Sequence, residues 1–199
     1  KLPQDSPACE FVRRIEATAQ RAAELTTQML AYSGRGSFIV RPLNLSAVAE
    51  EMGQLLNASI SKKAILRYQC APSLALIEGD AAQLHQVLIN LITNASDALG
   101  DNEGVIVIAT GSVQVDREYL SRMYLADGLV EGLYVFLEVS DTGCGMDAET
   151  QARIFDPFFS TKFAGRGLGL ASVLGIVRRH RGALTVRSES GHGTTIRVL

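Results

Sequence analysis

From Phe11 to Tyr32 the residues Phe11, Ile15, Thr18, Ala22, Leu25, Met29 and Tyr32 recur at alternating spacings of four and three. That is a heptad seam over three repeats, with Thr18 the imperfect position, and a seam of this length needs partner helices to bury it. The pattern predicts a long bundle or coiled-coil helix rather than one lying on its own domain. Ser33-Gly34-Arg35-Gly36 interrupts it and predicts a hinge or linker. Beyond that break, residues 46–60 read as a helix and Ile65–Cys70 as a strand. Residues 80–99 predict a strongly amphipathic helix in which Leu84, Val87, Leu88, Leu91, Ile92, Ala95 and Leu99 share one face. Val105–Thr110 and Tyr134–Val139 alternate with β-branched residues, as strands do, and are joined by a long excursion around Tyr119, Met123 and Tyr124. A glycine-rich stretch follows, then a helix from Leu168 to His180, then Ala183–Ser188 and Thr194–Val198 as a closing hairpin.

Composition narrows the class. With 199 residues, 47% of them apolar and 20% charged, the chain can build a real core, which excludes a disordered tail, a collagen-like chain or a disulfide scaffold. A net charge of −2 removes the electrostatic ground for nucleic acid or an anionic membrane as the main partner. Cys9, Cys70 and Cys144 are far apart and form no C-x-x-C, so neither a disulfide framework nor a zinc site is suggested, and a reducing compartment is preferred. No run approaches the roughly 18 apolar residues of a membrane span, and Asp5, Glu10, Arg13 and Arg14 stand where a signal peptide is apolar. The chain opens on Lys1 and stops directly after the strand-like T-T-I-R-V-L, which reads as a piece of something longer.

Three segments carry chemistry. In Q-V-L-I-N-L-I-T-N-A-S-D-A-L, Gln86, Asn90 and Asn94 follow each other at i, i+4 and i+8, with Asp97 on the same side. Amide oxygens there suit Mg²⁺, which takes few protein ligands plus water and phosphate oxygens; a solvated helix edge is the plainer alternative. V-S-D-T-G-C-G-M sets a single carboxylate, Asp141, at a strand end before Gly143 and Gly145, able to accept from an exocyclic amine such as adenine's; a capped glycine turn explains it equally. F-A-G-R-G-L-G-L-A-S puts Gly165, Gly167 and Gly169 at a helix start, where free N–H groups meet phosphates. It is neither a P-loop nor a Rossmann turn.

Taken together and in order, these motifs resemble the ATP-binding domain of sensor histidine kinases, in the superfamily shared with gyrase, the ninety-kilodalton heat-shock chaperones and MutL-type repair proteins. N-L-I-T-N-A-S-D-A-L is similar to the N box, D-T-G-C-G-M to the first glycine box, I-F-D-P-F-F-S-T-K to the F box, G-R-G-L-G-L to the second glycine box and G-H-G-T-T to the last. The resemblance covers residues 44–199, and A-A-E-L-T-T-Q-M-L-A-Y-S-G-R-G is similar to the second helix of a dimerisation and phosphoacceptor domain. It implies an α/β fold: a two-layer sandwich of a mixed β-sheet with helices on one face, of the Bergerat ATP-binding type, preceded by a bundle helix. The chain divides accordingly into a partial dimerisation helix and linker, 1–36, and an ATP-binding catalytic domain, 37–199.

The resemblance also implies roles. Asn94 would ligate Mg²⁺ with Asn90 beside it, and both would be catalytic. Asp141 would recognise the adenine amine, supported by Gly143, Gly145 and Thr194, with Asp97, Met146 and Phe158 in the same pocket. Asp147–Arg166 would be a lid, hinged by the Phe155, Phe158 and Phe159 cluster. Lys162 and Arg166 are candidate phosphate contacts, over the amides of Gly167, Leu168, Gly169 and Leu170. The implied cofactors are ATP and Mg²⁺; the implied partners are a second copy through the bundle helix and a response-regulator receiver domain, in the cytoplasm. Where the ATP-hydrolysing relatives place a water-activating glutamate, this sequence has Asn90, an amide that cannot act as a base. Transfer to a histidine is therefore favoured over hydrolysis, with an ATP-driven clamp or a non-catalytic nucleotide module as alternatives. His85, His180 and His192 are the histidines present and none lies on the Phe11–Tyr32 helix, so the acceptor is expected outside these residues. Arg178, Arg179, His180 and Arg181 read as cations at a glycine-capped helix C-terminus. Cys144 is a possible redox handle, or an inert packing thiol.

Overall fold

The computed structural model describes residues 38–56, 60–161 and 167–199, together with Phe11, Val12 and Ile15, which are helical and exposed. The rest of the predicted heptad helix, and the Ser33–Gly36 break, lie outside the described residues. The elements in order are β1 (Arg41–Leu43), α1 (Leu45–Leu56), β2 (Ala64–Cys70), β3 (Ile77–Gly79), α2 (Ala81–Leu99), β4 (Gly104–Val115), α3 (Arg117–Ser121), β5 (Gly132–Asp141), α4 (Ala148–Arg153), α5 (Gly169–Arg179), β6 (Leu184–Glu189) and β7 (Gly193–Val198).

Five strands form one mixed sheet in the order β2-β4-β5-β7-β6, parallel between β2 and β4 and antiparallel elsewhere. The parallel pair requires a crossover, and α2 supplies it. Its predicted apolar face is buried throughout: Leu84, Val87, Leu88, Leu91, Ile92, Ala95 and Leu99 are all below 9% exposed. They meet Ile106 and Ile108 of β4, Leu137 and Val139 of β5, and Val173, Ile176 and Val177 of α5 in one core. Each such side chain contributes roughly 1.5–3 kcal/mol by leaving water, which is why the helices sit where they do. The other face of the sheet carries polar cross-strand pairs: Arg197 Nε donates to Glu138 at 2.7 Å, and Ser140 bonds Thr195 at 2.8 Å. The expected two-layer α/β sandwich is the observed one. No helix among the described residues is long and apolar enough to cross a membrane.

Three differences from the sequence reading have local causes. The excursion before Tyr134 is shorter than expected, because β4 and β5 continue to Val115 and Gly132 as a long antiparallel hairpin. The short β1 and β3 pair with each other outside the main sheet and are too brief for alternation to reveal. At the end of α5 the left-handed residue is Arg181 (φ 55°) and not Gly182. Gly182 serves instead for close approach to the Leu199 carbonyl.

Asp80 ties the two central helices together at the end away from the cleft. It caps α2, one carboxylate oxygen accepting from Gln83 N at 3.2 Å and the other from Ile39 N at 2.8 Å, while its own N–H donates to His180 Nε2 at 3.0 Å. A backbone N–H can only donate, so Nε2 accepts and the ring hydrogen sits on Nδ1, 2.9 Å from Ile176 O. Burial raises the Asp80 pKa, but the amides of Ile39, Gln83 and Ala82 and the neighbouring His180 outweigh it, so the group titrates below its ordinary 3.8. A depressed carboxyl stabilises the fold above its unfolded pKa and loses that contribution as pH falls through the folded value. Asp80→Ala should therefore cost about 2 kcal/mol at pH 7 in urea unfolding, the loss of a cap and a further hydrogen bond. The gap from the parent should narrow as pH drops below 3.8; a gap independent of acidity would refute the assignment.

Candidate functional site

The helical layer opens above the ends of β5 and β7 into a cavity of about 670 Å³. Its back wall follows from strand register. Successive residues of a strand face opposite ways, so Asp141 shares the helix-facing side with Leu137 and Val139, and Thr194 shares it with Ile196. Asp141 stands directly opposite Thr194, and both line the cavity. One Asp141 oxygen accepts from Gly143 N at 2.8 Å, which folds the chain back at the strand end.

The Gly143–Met146 loop is locked against the β6–β7 turn. Gly191 N donates to Cys144 O at 2.7 Å. A Cβ on Gly145 would overlap the Glu189 carbonyl, and one on Gly193 the Asp141 carbonyl; both residues have positive φ, 63° and 87°. Any side chain here would force the two loops apart, so glycine is demanded by contact as well as by backbone angle. Gln151 of α4 adds a clamp, its Nε2 donating to Met146 O at 3.1 Å and Ser188 O at 3.0 Å.

The opposite wall joins α2 to the start of α5. Asn94 and Asp97 line the cavity from α2, and Gly167, Leu168, Gly169 and Leu170 from the chain entering α5. Leu168, at the N-cap of α5, provides no side-chain cap, so the first-turn amides have no intrahelical partner. The Asn94 Nδ2 lies 3.8 Å from where a Cβ of Gly169 would be, which sets a carboxamide beside that positive helix end. Asn90 is buried at 6% exposure and does not line the cavity. Its Nδ2 donates to Gly169 O at 3.2 Å and its Oδ1 accepts from Gln86 at 3.2 Å. It is a brace between the helices.

The expected site residues thus divide. Asn94, Asp97, Asp141, Gly145, Met146, Gly167, Leu168, Gly169, Leu170 and Thr194 meet on the cavity; Asn90, Gly143 and Phe158 stand behind or beside it. Lys162 and Arg166 lie outside the described residues. The phenylalanines separate: Phe155 packs edge-on to Tyr124 at 5.0 Å, Phe159 lines the cavity under the Arg153 guanidinium, and Phe158 is 67% exposed at φ 68°. Cys144 is exposed on the cavity wall rather than packed away.

Thr150 and Ile154, which are not among the expected site residues, also line the cavity, from α4 and its C-cap, within the Asp147–Arg166 stretch expected to form a lid. Their signal is Asp147 followed three residues later by Thr150, whose amide it caps at 2.8 Å. The hydroxyl and amide of Thr150 hold the exposed Asp147 carboxyl below its ordinary value.

Comparison with known proteins agrees with this geometry. The sensor kinase CckA of Brucella abortus (strain 2308) is 34% identical over 194 residues, 96% of this chain and 20% of that one. Among solved structures, full-length ShkA in complex with AMPPNP superposes with a TM-score of 0.76 at 21% identity, covering 99% of this chain and 39% of ShkA. Histidine kinase ThkA in complex with response regulator protein TrrA gives 0.65 at 21% identity, covering 99% and 52%. Curated relatives of this kind are two to five times longer, the chain spanning between a fifth and a half of their length. Residues 79–199, well over half of the chain, match the family of histidine kinase-, DNA gyrase B- and HSP90-like ATPases. That match takes in both walls of the cavity, from α2 to β7, and the chain belongs to this family.

Proposed function

We propose that this chain is the catalytic, ATP-binding part of a two-component sensor histidine kinase, which passes the ATP γ-phosphate to a histidine for relay to a response-regulator aspartate. The observation that carries the proposal is the polarity of one cavity. An acceptor pair, Asp141 and Thr194, stands at one end, and Asn94 stands beside an uncapped helix N-terminus at the other. The first fits the exocyclic amine of adenine, and the second a polyphosphate with its cation.

Among the described residues no three His, Cys, Asp or Glu gather as a metal site. The Asn94 carboxamide oxygen suits a hard cation that completes its shell with phosphate oxygens and water. Mg²⁺ held there would neutralise charge on the transferring phosphoryl group. The chain's own contribution is placement. Asn90 keeps the α5 terminus against α2, the glycine loops admit the nucleotide, and Lys162 and Arg166 are assigned to the phosphates. Asn90 offers no base to activate water, which supports transfer over hydrolysis. By analogy with the TrrA complex of ThkA, a receiver domain is the downstream partner. Dimerisation is assigned to residues 1–36, ATP binding to 37–199, and the whole to the cytoplasm.

The test is incubation with Mg-ATP and a helical peptide bearing a histidine followed by an acidic residue. The expected product is an acid-labile, base-stable phosphopeptide, with slow release of free phosphate. Rapid steady-state phosphate release with no transfer would instead identify an ATP-driven clamp.

A further inference from the structure

Three residues lie in a row across adjacent strands on the helix-facing side of the sheet: Asp141 of β5 opposite Thr194 of β7, and Thr194 opposite Ser188 of β6. Asp141 and Thr194 reach the cavity, and Ser188 does not. Ser188 Oγ is 3.0 Å from Gly193 O and 2.8 Å from Thr194 Oγ1. A carbonyl oxygen can only accept, so the single Ser188 hydroxyl hydrogen belongs to Gly193. The hydrogen between the two hydroxyls must then come from Thr194. With that hydrogen committed, Thr194 has only lone pairs left for the cavity, and the Asp141 carboxylate likewise only accepts.

We propose that Ser188 is a positioning residue that selects the base: by taking the Thr194 hydrogen it leaves only acceptors facing the purine 6-substituent, which favours a 6-amino over a 6-oxo group there. The inference rests on reading this cavity as a nucleoside triphosphate site, and it assigns a role to a side chain that touches no ligand. Gln151 supports it by holding the Ser188 backbone, and the backbone of Gly193 by aiming its carbonyl at Ser188. In Ser188→Ala the Thr194 hydrogen loses its fixed acceptor and is free to turn to the base, so a 6-oxo group gains a donor while the 6-amino group loses an acceptor.

The experiment titrates the 199-residue chain, Ser188→Ala and Ser188→Thr with Mg-ATP and with Mg-inosine triphosphate, which carries 6-oxo for 6-amino and an N1–H for the N1 lone pair. The parent should prefer ATP. Ser188→Ala should lower the ratio of ATP to inosine triphosphate affinity by about tenfold, the scale of one hydrogen bond gained and one lost, with inosine triphosphate binding no weaker than in the parent. Ser188→Thr, which restores the hydroxyl, should restore the ratio. A parallel loss of both nucleotides at constant ratio would show that Ser188 only holds the turn, and overturns the proposal. If Ser188→Ala does not fold, Thr194→Val removes the hydroxyl being aimed and, losing the acceptor without gaining a donor, should lower the ratio by about threefold; an unchanged ratio there also overturns it. No saturable binding of either nucleotide by the parent rejects the triphosphate site itself, and this inference with it.

Discussion

Asp141→Ala should weaken Mg-ATP binding at least 100-fold. The carboxylate does two things at once: it faces the cavity opposite Thr194, and it accepts from Gly143 N at 2.8 Å to shape the glycine loop. A hydrogen bond to a charged group is worth roughly 1.5–3 kcal/mol, or about 10- to 150-fold in affinity, and release of the loop adds to it. Asp141→Asn keeps an oxygen for Gly143 but brings an NH₂ donor to the base, so it should fall between alanine and the parent. Because Asp141 ends its strand beside the cleft, rather than among the buried residues of the core, thermal unfolding should shift by only a few degrees. Calorimetric titration with Mg-ATP measures the effect. Binding within twofold of the parent would remove Asp141 from the site.

Gly193→Ala should be severely damaging for a single added methyl group. Gly193 has φ 87°, and its added Cβ would overlap the Asp141 carbonyl next to the Thr142 backbone. Left-handed backbone costs an L-residue about 1–2 kcal/mol and forced overpacking about 1–3, giving roughly 2–5 kcal/mol together. Against a total stability of about 5–15 kcal/mol that is a large share, and a melting point about 10 °C lower is expected. Gly191→Ala is the control. It shares the positive φ, 82°, but its Cβ meets nothing within 4 Å, so the backbone cost of about 1–2 kcal/mol alone should appear. Equal losses for the two would mean that the turn does not press on β5. Gly193→Ala should also lose nucleotide, because relieving the clash pushes Thr194 away from Asp141.

Much of this site can be read along the chain because its parts are local. The buried stripe of α2 follows from apolar residues at helical spacing, and all seven expected positions are buried. Asn94 and Asp97 then fall on the cavity because their offset from that stripe is set by the same period. Asn90 shows where such reasoning stops. Its place on the helix is as expected, yet its side chain is used up on Gly169 and Gln86. Nothing within α2 indicates that α5 starts there.

Short stretches of the sequence carry the periods: which face of α2 is apolar, where strands alternate, and where glycines interrupt. Those features rest on contacts between near neighbours in the chain, so they are written in short windows. Only the tertiary structure decided the partners. Asp141 meets Thr194, Thr194 meets Ser188 on the far side, and Asp80 meets His180 a hundred residues away. It also decided that Arg181 takes the left-handed turn in place of the adjacent glycine. Strand order and register depend on which distant surfaces bury together, and a local pattern cannot distinguish among partners that would bury it equally well.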